Sequence, residues 1–222
     1  MEGQPIETII HESHPEGKDA KCDDSCVIEI PSWVNHIIMP HFAHRFLIEV
    51  NSLSGYINTK IESKGEHFKS KIICFKKSID ASNPAISIFV LFEIIDTGDK
   101  DAVTEGGEYI VEFILSKDYP TKASNIRFHT PNGVFVADGL ALVCLNGLTG
   151  FHPESYKANT TLYKQLFIIS MTIKYYNKDD KLTGIGISEN SDLSSDNITA
   201  MIRRYARESK EFNKKVISKL LS

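Results

Sequence analysis

Long apolar runs are missing from this sequence, and its first residues do not have the pattern expected of an export signal. No stretch of 18 or more consecutive apolar residues occurs, so no membrane-spanning helix is expected. The segment from Met1 to His14 lacks a basic start followed by an apolar run, which argues against a secretory signal. Cysteine is scarce, with four residues in 222. Without a signal, these are expected to be free thiols in a reducing compartment: the cytoplasm or nucleus, or the host cytoplasm for a viral protein.

Basic residues do not outnumber acidic ones. The formal net charge is -4, whereas a nucleic-acid-binding body usually carries a basic face, so no nucleic-acid partner is predicted. Apolar residues make up 41% and charged residues 24% of the chain, which indicates a sizeable packed core. The polar, acidic residues 1–30 are predicted to form a flexible arm, and residues 31–222 to form the folded domain.

The predicted arm holds the only spacing that suggests a metal. His11-x-x-His14 and Cys22-x-x-x-Cys26 offer four side chains of the kinds that zinc binds. Their spacing matches no common zinc finger, and the segment is poor in apolar residues. We therefore predict neither a metal site nor a bound cofactor.

Hydrophobic periodicity predicts a helix followed by a sheet. Apolar residues at i, i+3, i+4 and i+7 mark one face of a helix from about Pro40 to Leu53: Ala43, Phe46, Leu47 and Val50. Four strand-like runs follow, and the breaks between them are too short for crossover helices, so the sheet is expected to be an antiparallel meander. The runs are Ile72 to Phe75, which places Cys74 in the core, Ile86 to Ile95, Tyr109 to Leu115, and Ile126 to Phe128.

A long irregular segment and further helices complete the pattern. The stretch from Thr130 to Asn159 has no periodicity, and loops of this length are usually functional. A helix apolar on nearly all faces, and hence buried, is predicted next from Leu162, Leu166, Phe167, Ile168, Ile169, Met171 and Ile173. Ser194-Ser195-Asp196 can cap C-terminal helices, an extension that begins at about residue 194. The fold class is therefore α+β.

Several motifs stand in a fixed order along this framework. They are Gly106-Gly107-Glu108-Tyr109, Asp118-Tyr119-Pro120, Phe128-His129-Thr130-Pro131-Asn132-Gly133, Cys144-Leu145 and His152-Pro153-Glu154-Ser155-Tyr156. In this order they resemble ubiquitin-conjugating enzymes, particularly the J-type subgroup that is tail-anchored in the endoplasmic reticulum. The resemblance includes Ser191-Asp192 and Ser209-Lys210-Glu211-Phe212-Asn213, and covers roughly residues 40 to 215.

The resemblance implies the ubiquitin-conjugating (UBC-like) fold and an active-site thiol. Cys144 would accept ubiquitin as a thioester from an activating enzyme and pass it to a substrate lysine, or to a hydroxyl as the J-type allows. Asn132 would donate its side-chain amide to the oxyanion of that transfer or hold the neighbouring loop. His152 would accept a proton.

The same residues have simpler interpretations. Cys144 lies between Val143 and Leu145, which equally suits a buried structural cysteine. Asn132 before Gly133 suits an ordinary turn, and His152 before a proline suits a polar turn residue. Two functions therefore stand side by side: an active transferase, and a catalytically inactive UBC-like module that binds ubiquitin or a partner protein.

Departures from the family fall around the Tyr-Pro turn, whose following residue is part of the usual ligase-binding surface, and around Cys144. The stretch from Asn132 to Cys144 is longer than usual, and Ala158 replaces a proline. Ala123-Ser124 replaces the usual Pro-Pro, Thr121 replaces an apolar residue, and Tyr156 replaces a tryptophan. Ubiquitin and an activating enzyme are the implied partners, and the departures leave a ubiquitin ligase open. The activating enzyme docks on the first helix in this family, where basic residues here are few, Arg45 and Lys60. No C-terminal membrane anchor is expected.

Overall fold

A computed structural model describes residues 30–38, 40–54, 68–77, 84–104, 106–135, 137, 157–176 and 194–222. In chain order the elements are two short 3-10 helices, one α-helix, four strands and two further α-helices. This order confirms the predicted α+β class. The predicted arm up to residue 29, with the zinc-type residues His11, His14, Cys22 and Cys26, lies outside the described residues, as do Cys144, His152 and Tyr156.

The four strands form one antiparallel sheet in the order β1-β2-β3-β4, which confirms the meander. They are β1 Phe68–Lys77, β2 Ala85–Ile94, β3 Glu108–Ser116 and β4 Asn125–Phe128. Strand β1 is longer than the predicted run because it pairs with β2 along its whole length. A register shift between Ile72 and Cys74 interrupts the alternation of side chains that would have revealed the strand in the sequence.

The first helix, α1 (Ala43–Leu53), lies where periodicity placed it, although its first turn, Pro40–Phe42, is a 3-10 helix. Phe46, Val50 and Leu53 are buried. They join one hydrophobic core with alternate residues of β2 and β3, such as Ile88 and Val111. Because successive strand residues point to opposite faces, this core covers only one face of the sheet.

Helix α2 (Leu162–Lys174) begins at Thr161, whose side chain accepts a hydrogen bond from the Lys164 N–H. Its predicted core residues, such as Leu166 and Ile169, are fully buried. The prediction of burial on nearly all faces was wrong, since Tyr163 is 43% and Phe167 is 36% exposed. The helix buries the face that packs on the sheet, whereas Tyr163 and Phe167 lie beside that face, against the ring of Phe68.

The C-terminal segment forms one continuous helix, α3 (Ser195–Leu221), and not several helices. No proline or glycine occurs between these residues, so nothing in the sequence breaks the helix. Ser194 caps it by accepting a hydrogen bond from the Asn197 N–H. No helix in the described part of the chain has the length and apolar character needed to cross a membrane.

The Gly-Gly pair before β3 has a packing reason. A Cβ atom on Gly107 would stand 2.7 Å from Cζ of Tyr109, closer than real Cβ contacts allow. Tyr109 is fully buried, and its ring lies 5.5 Å from the ring of Phe92 on β2. Glycine at position 107 therefore lets β3 begin directly above a large aromatic side chain.

Candidate active site

Of the three predicted site residues, the structure describes Asn132 alone. It lies just after β4, in the irregular segment Thr130 to Phe135. Cys144 and His152 lie outside the described residues, so their approach to Asn132 stays a prediction.

The side chain of Asn132 is fully buried and closes a turn in its own segment. Its Oδ1 accepts hydrogen bonds from the N–H groups of Val134, at 2.9 Å, and Phe135, at 2.7 Å. Its Nδ2 donates to the carbonyl oxygen of Thr130 at 3.2 Å. Of the two roles that the resemblance implied, this geometry matches holding the loop, and the oxyanion role stays a prediction.

Thr130 ties this segment to the sheet. Its Oγ1 accepts a hydrogen bond from the Ile110 N–H at 2.8 Å and donates to Oδ1 of Asn213 on α3 at 2.6 Å. The N–H of His129 donates to the carbonyl oxygen of Ile110 at 2.9 Å. Ile110 lies just beyond the stretch of β3 that pairs with β4. The residues after β4 thus extend its pairing with β3 by one residue. The backbone of His129 and the side chain of Thr130 both bind Ile110.

Gly133 turns the segment back toward the core. Its φ is +79°, a conformation that residues with a side chain rarely adopt. Val134 and Phe135 are buried immediately after it. The ring of Phe135 stacks on Phe128, with centroids 5.1 Å apart and planes inclined by 6°. The chain therefore leaves the sheet, reverses at Gly133 and packs again before it runs on toward Cys144.

His129 points to the face of the sheet opposite the core. Its Nε2 lies 2.8 Å from Oε2 of Glu112, and the hydroxyl of Ser87 donates to Oε1 of the same carboxylate at 2.6 Å. Burial opposes ionisation of Glu112. The hydrogen bonds from His129 and Ser87, with the positive charges of His129 and Arg127, outweigh burial and hold the pKa of Glu112 below its usual range.

Cys74 shares that face with Glu112. Its register partner is Phe89, whose partner on β3 is Glu112. The prediction that Cys74 lies in the core was wrong, because the thiol is only half-buried and the irregularity in β1 sets its register. Burial raises the pKa of the Cys74 thiol, Lys76 opposes this and Glu112 adds to it, which favours the neutral thiol over the reactive thiolate.

No metal site is found among the described residues. They contain no group of three or more histidine, cysteine, aspartate or glutamate side chains placed to hold an ion. The side chains that gather around Asn132 are amide, hydroxyl and backbone groups, which orient a loop and do not ligate a metal in this arrangement.

The chain has a relative among characterised proteins. It is 30% identical over 135 residues to Ubiquitin-conjugating enzyme E2 6 of Schizosaccharomyces pombe, and the matched residues make up 61% of this chain. The resemblance to the ubiquitin-conjugating enzyme family is confirmed. The α+β framework of four antiparallel strands and three α-helices that the described ranges form is consistent with the fold of that family. The matched part amounts to 52% of the relative, so this chain spans about half of its length. No protein-family model matches the chain.

Glu49 is a buried residue that the sequence patterns did not single out. Its Oε1 lies 2.6 Å from Nε of Arg45, and its Oε2 accepts hydrogen bonds from the Tyr119 hydroxyl and, at 3.1 Å, from the Leu162 N–H. One carboxylate thus joins α1, the Tyr-Pro turn and the start of α2. The sequence does carry a signal for it: Glu49 is a charged residue on the predicted apolar face of the helix, between Phe46 and Val50. A charge at such a position indicates a buried partner.

Arg45, considered above for the docking surface on the first helix, is engaged within the fold. Besides its ion pair with Glu49, its Nη2 lies 3.4 Å from the carbonyl oxygen of Thr160. Its side chain is 30% exposed. The guanidinium therefore serves the junction between α1 and the turn before α2. Lys60 lies outside the described residues.

Proposed function

We propose that this protein is a ubiquitin-conjugating enzyme that carries ubiquitin as a thioester on Cys144. The similarity to the Schizosaccharomyces pombe ubiquitin-conjugating enzyme carries the proposal. The turn held by Asn132 supports it, because that turn gives the chain leading to Cys144 a defined starting point. Ubiquitin and an activating enzyme are the partners, with or without a ligase, in the cytoplasm or nucleus and without a cofactor.

The proposed reaction has two acyl transfers. The Cys144 thiolate attacks the thioester carbonyl carbon of activated ubiquitin, a new S–C bond forms, and the activating enzyme's thiolate leaves. An acceptor lysine amine, or a hydroxyl, then attacks the same carbon and displaces the Cys144 thiolate, while the acceptor's proton passes to a base. His152 is the proposed base. The negative charge on the carbonyl oxygen in each step calls for nearby hydrogen-bond donors.

The test is a charging assay with activating enzyme, ubiquitin and ATP. We expect an adduct of Cys144 with ubiquitin that a thiol reductant removes. Cys144→Ser should give a reductant-resistant oxyester or no adduct, Cys144→Ala should give none, and Cys74→Ser should charge like the wild type. A wild-type chain that stays unmodified with several activating enzymes would refute the proposal.

A second candidate function, a UBC-like module without catalysis, is favoured by one observation. Asn132 is fully enclosed, and both polar atoms of its amide are hydrogen-bonded within the segment. An oxyanion donor must instead reach the reacting carbonyl. Ser124, in place of a family proline, is buried and donates a hydrogen bond to Oε1 of Gln165 at 2.6 Å.

Thiol labelling of the native protein separates the two candidates. An active-site Cys144 should react quickly with an alkylating reagent, and Cys74, whose pKa is raised by burial, should react slowly. The measurement is the labelled mass after brief exposure, with Cys144→Ser and Cys74→Ser as matched controls. If Cys144 reacts no faster than Cys74, and ubiquitin binding persists in Cys144→Ala, the binding module is the better description.

A further inference from the structure

We propose that Asn213 on α3 is a positioning residue, which orients the Thr130–Phe135 segment and thereby sets the rate of transfer from Cys144. This inference rests on the proposed function and adds the C-terminal helix to the working parts of that site. Asn213 belongs to the Ser-x-x-Phe-Asn motif noted in the sequence.

Strand β4 is too short to satisfy the whole edge of β3. It pairs with Val111 to Ile114, which leaves Glu108 and Ile110 beyond its end. A buried backbone N–H or carbonyl group without a partner is costly. The N–H and carbonyl groups of Ile110 are hydrogen-bonded by Thr130 and His129, the residues after β4. The backbone of Glu108 is hydrogen-bonded by side chains of α3. Its N–H donates to Oγ of Ser209, and its carbonyl oxygen accepts from Nδ2 of Asn213, each at 2.9 Å.

Asn213 binds the sheet and the site segment at once. Its Nδ2 donates to Glu108, and its Oδ1 accepts the hydroxyl proton of Thr130 at 2.6 Å. An amide supplies one donor and one acceptor for these two partners. Aspartate would place an oxygen against the Glu108 carbonyl oxygen, and leucine would satisfy neither group. Asn213 is 2% exposed, so water is not available to replace the lost bonds.

The contact at Thr130 reaches Asn132 directly. The Thr130 hydroxyl is held by Asn213, while its carbonyl oxygen accepts the hydrogen bond from Nδ2 of Asn132. A second contact between α3 and the segment lies at Gly133. A Cβ on Gly133 would stand 2.8 Å from Cγ1 of Ile202 and 3.3 Å from its Cα, so the backbone of α3 lies against the segment. Helix α3 therefore holds the segment at two points.

The face of α3 that makes these contacts is continuous. Ile202, Ser209 and Asn213 follow one another at helical spacing, and all three are buried. A shift of α3 would therefore move Thr130 and Gly133 together. Acyl transfer to an amine requires close alignment of acceptor and carbonyl, and small displacements of a loop cost large factors in rate. Charging requires only that the Cys144 thiol is accessible. We therefore expect charging to depend less than discharge on the contact between Asn213 and Thr130.

The test compares discharge with charging in matched variants. Asn213→Leu removes both hydrogen bonds, and Asn197→Leu makes the same substitution at an exposed position of the same helix. Single-turnover discharge of the Cys144 thioester to free lysine is measured across lysine concentrations, at a temperature where circular dichroism shows both variants folded. For Asn213→Leu we expect the saturating rate to fall by about tenfold or more, with charging near wild type. Asn197→Leu should match the wild type in both steps.

Thr130 provides the second arm if Asn213→Leu does not fold. Thr130→Val removes the hydroxyl that Asn213 holds, whereas Thr130→Ser keeps it and should restore discharge. In Asn213→Leu combined with Thr130→Val, the loss should be smaller than the product of the single losses, because the hydrogen bond between Thr130 and Asn213 is removed by either substitution. Discharge at the wild-type rate in folded Thr130→Val or Asn213→Leu would overturn the proposal, as would fully multiplicative losses.

Nuclear magnetic resonance distinguishes a failure of the positioning role of Asn213 from a failure of the proposed function. In the uncharged wild type, the amide signals of Gly133 and Val134 and the side-chain amide signal of Asn132 report the geometry of the segment. We expect Asn213→Leu to move all three and Asn197→Leu to leave them in place. If the wild type fails to charge but these signals move, the proposed function has failed while the positioning contact stands. If they do not move, Asn213 does not position the segment.

Discussion

The backbone of Gly133 lies directly against Ile202 of α3. A Cβ on Gly133 would be 2.8 Å from Cγ1 of Ile202, 3.3 Å from its Cα and 3.4 Å from its backbone nitrogen. Gly133 also has a φ of +79°. Two separate demands, a left-handed backbone and a close neighbour, therefore call for glycine at this position.

Gly133→Ala should destabilise the protein more than a left-handed backbone alone explains. A side chain in that conformation costs about 1–2 kcal/mol, and the contact with the backbone of α3 adds to it because the helix must move. Gly98→Ala is the matched control, since Gly98 has a φ of +67° and nothing within 4 Å of its Cβ position. The measurement is the free energy of unfolding in urea. Equal losses for the two variants would show that Ile202 does not press on Gly133.

Glu49→Gln should destabilise the junction of α1, the Tyr-Pro turn and α2. The carboxylate accepts hydrogen bonds from Arg45, Tyr119 and Leu162, whereas glutamine has one oxygen and turns an N–H toward a donor. We expect a loss of about 1–3 kcal/mol in the free energy of unfolding, measured by chemical denaturation. Glu208→Gln, at an exposed position of α3, should leave stability unchanged. A similar loss in both variants would contradict the role assigned to Glu49.

The stability of the protein should fall in acid partly through Glu112. Its pKa in the folded state is below its ordinary value of 4.5, so ionised Glu112 favours folding. This contribution is present above the unfolded pKa and is lost as the pH falls through the folded pKa. Glu112→Gln should flatten the decline in unfolding free energy below about pH 4.5, and Ser87→Ala should flatten it less. Urea denaturation between pH 3 and 7 measures this slope. An unchanged slope in Glu112→Gln would show that Glu112 does not supply it.

Local sequence patterns predicted much of the fold, because helices, strands and caps depend on residues close together in the chain. The apolar face of α1, the core residues of α2 and the four strands follow from spacing along the chain. The meander follows from connections too short for crossovers. The Ser194 cap of α3 depends on residues next to each other in sequence. The order of the motifs along the chain likewise indicates the resemblance to ubiquitin-conjugating enzymes.

Other features depend on partners far apart in the chain, and no local pattern contains them. The exposure of Phe167 depends on what packs against α2, since a helix apolar on several faces does not say which of them is covered. The inward amide of Asn132 depends on Val134 and Phe135 doubling back beneath it. Whether Cys144 and His152 approach Asn132 is a question of the same kind, and it stays a prediction.

The sequence by itself determined the order of elements, the family resemblance and the candidate thiol, because periodicity and motif order are written along the chain. Only the tertiary structure decided what holds the segment before Cys144. Thr130 and Asn213 meet within hydrogen-bond distance across the end of the sheet, and Glu49 reaches both Tyr119 and Leu162. The contact between Thr130 and Asn213 exists because β4 stops short and leaves backbone groups of β3 that buried side chains must satisfy. Glu49 meets a similar need at the start of α2, where the Leu162 N–H has no partner within the helix. Both needs appear only when the elements are packed together.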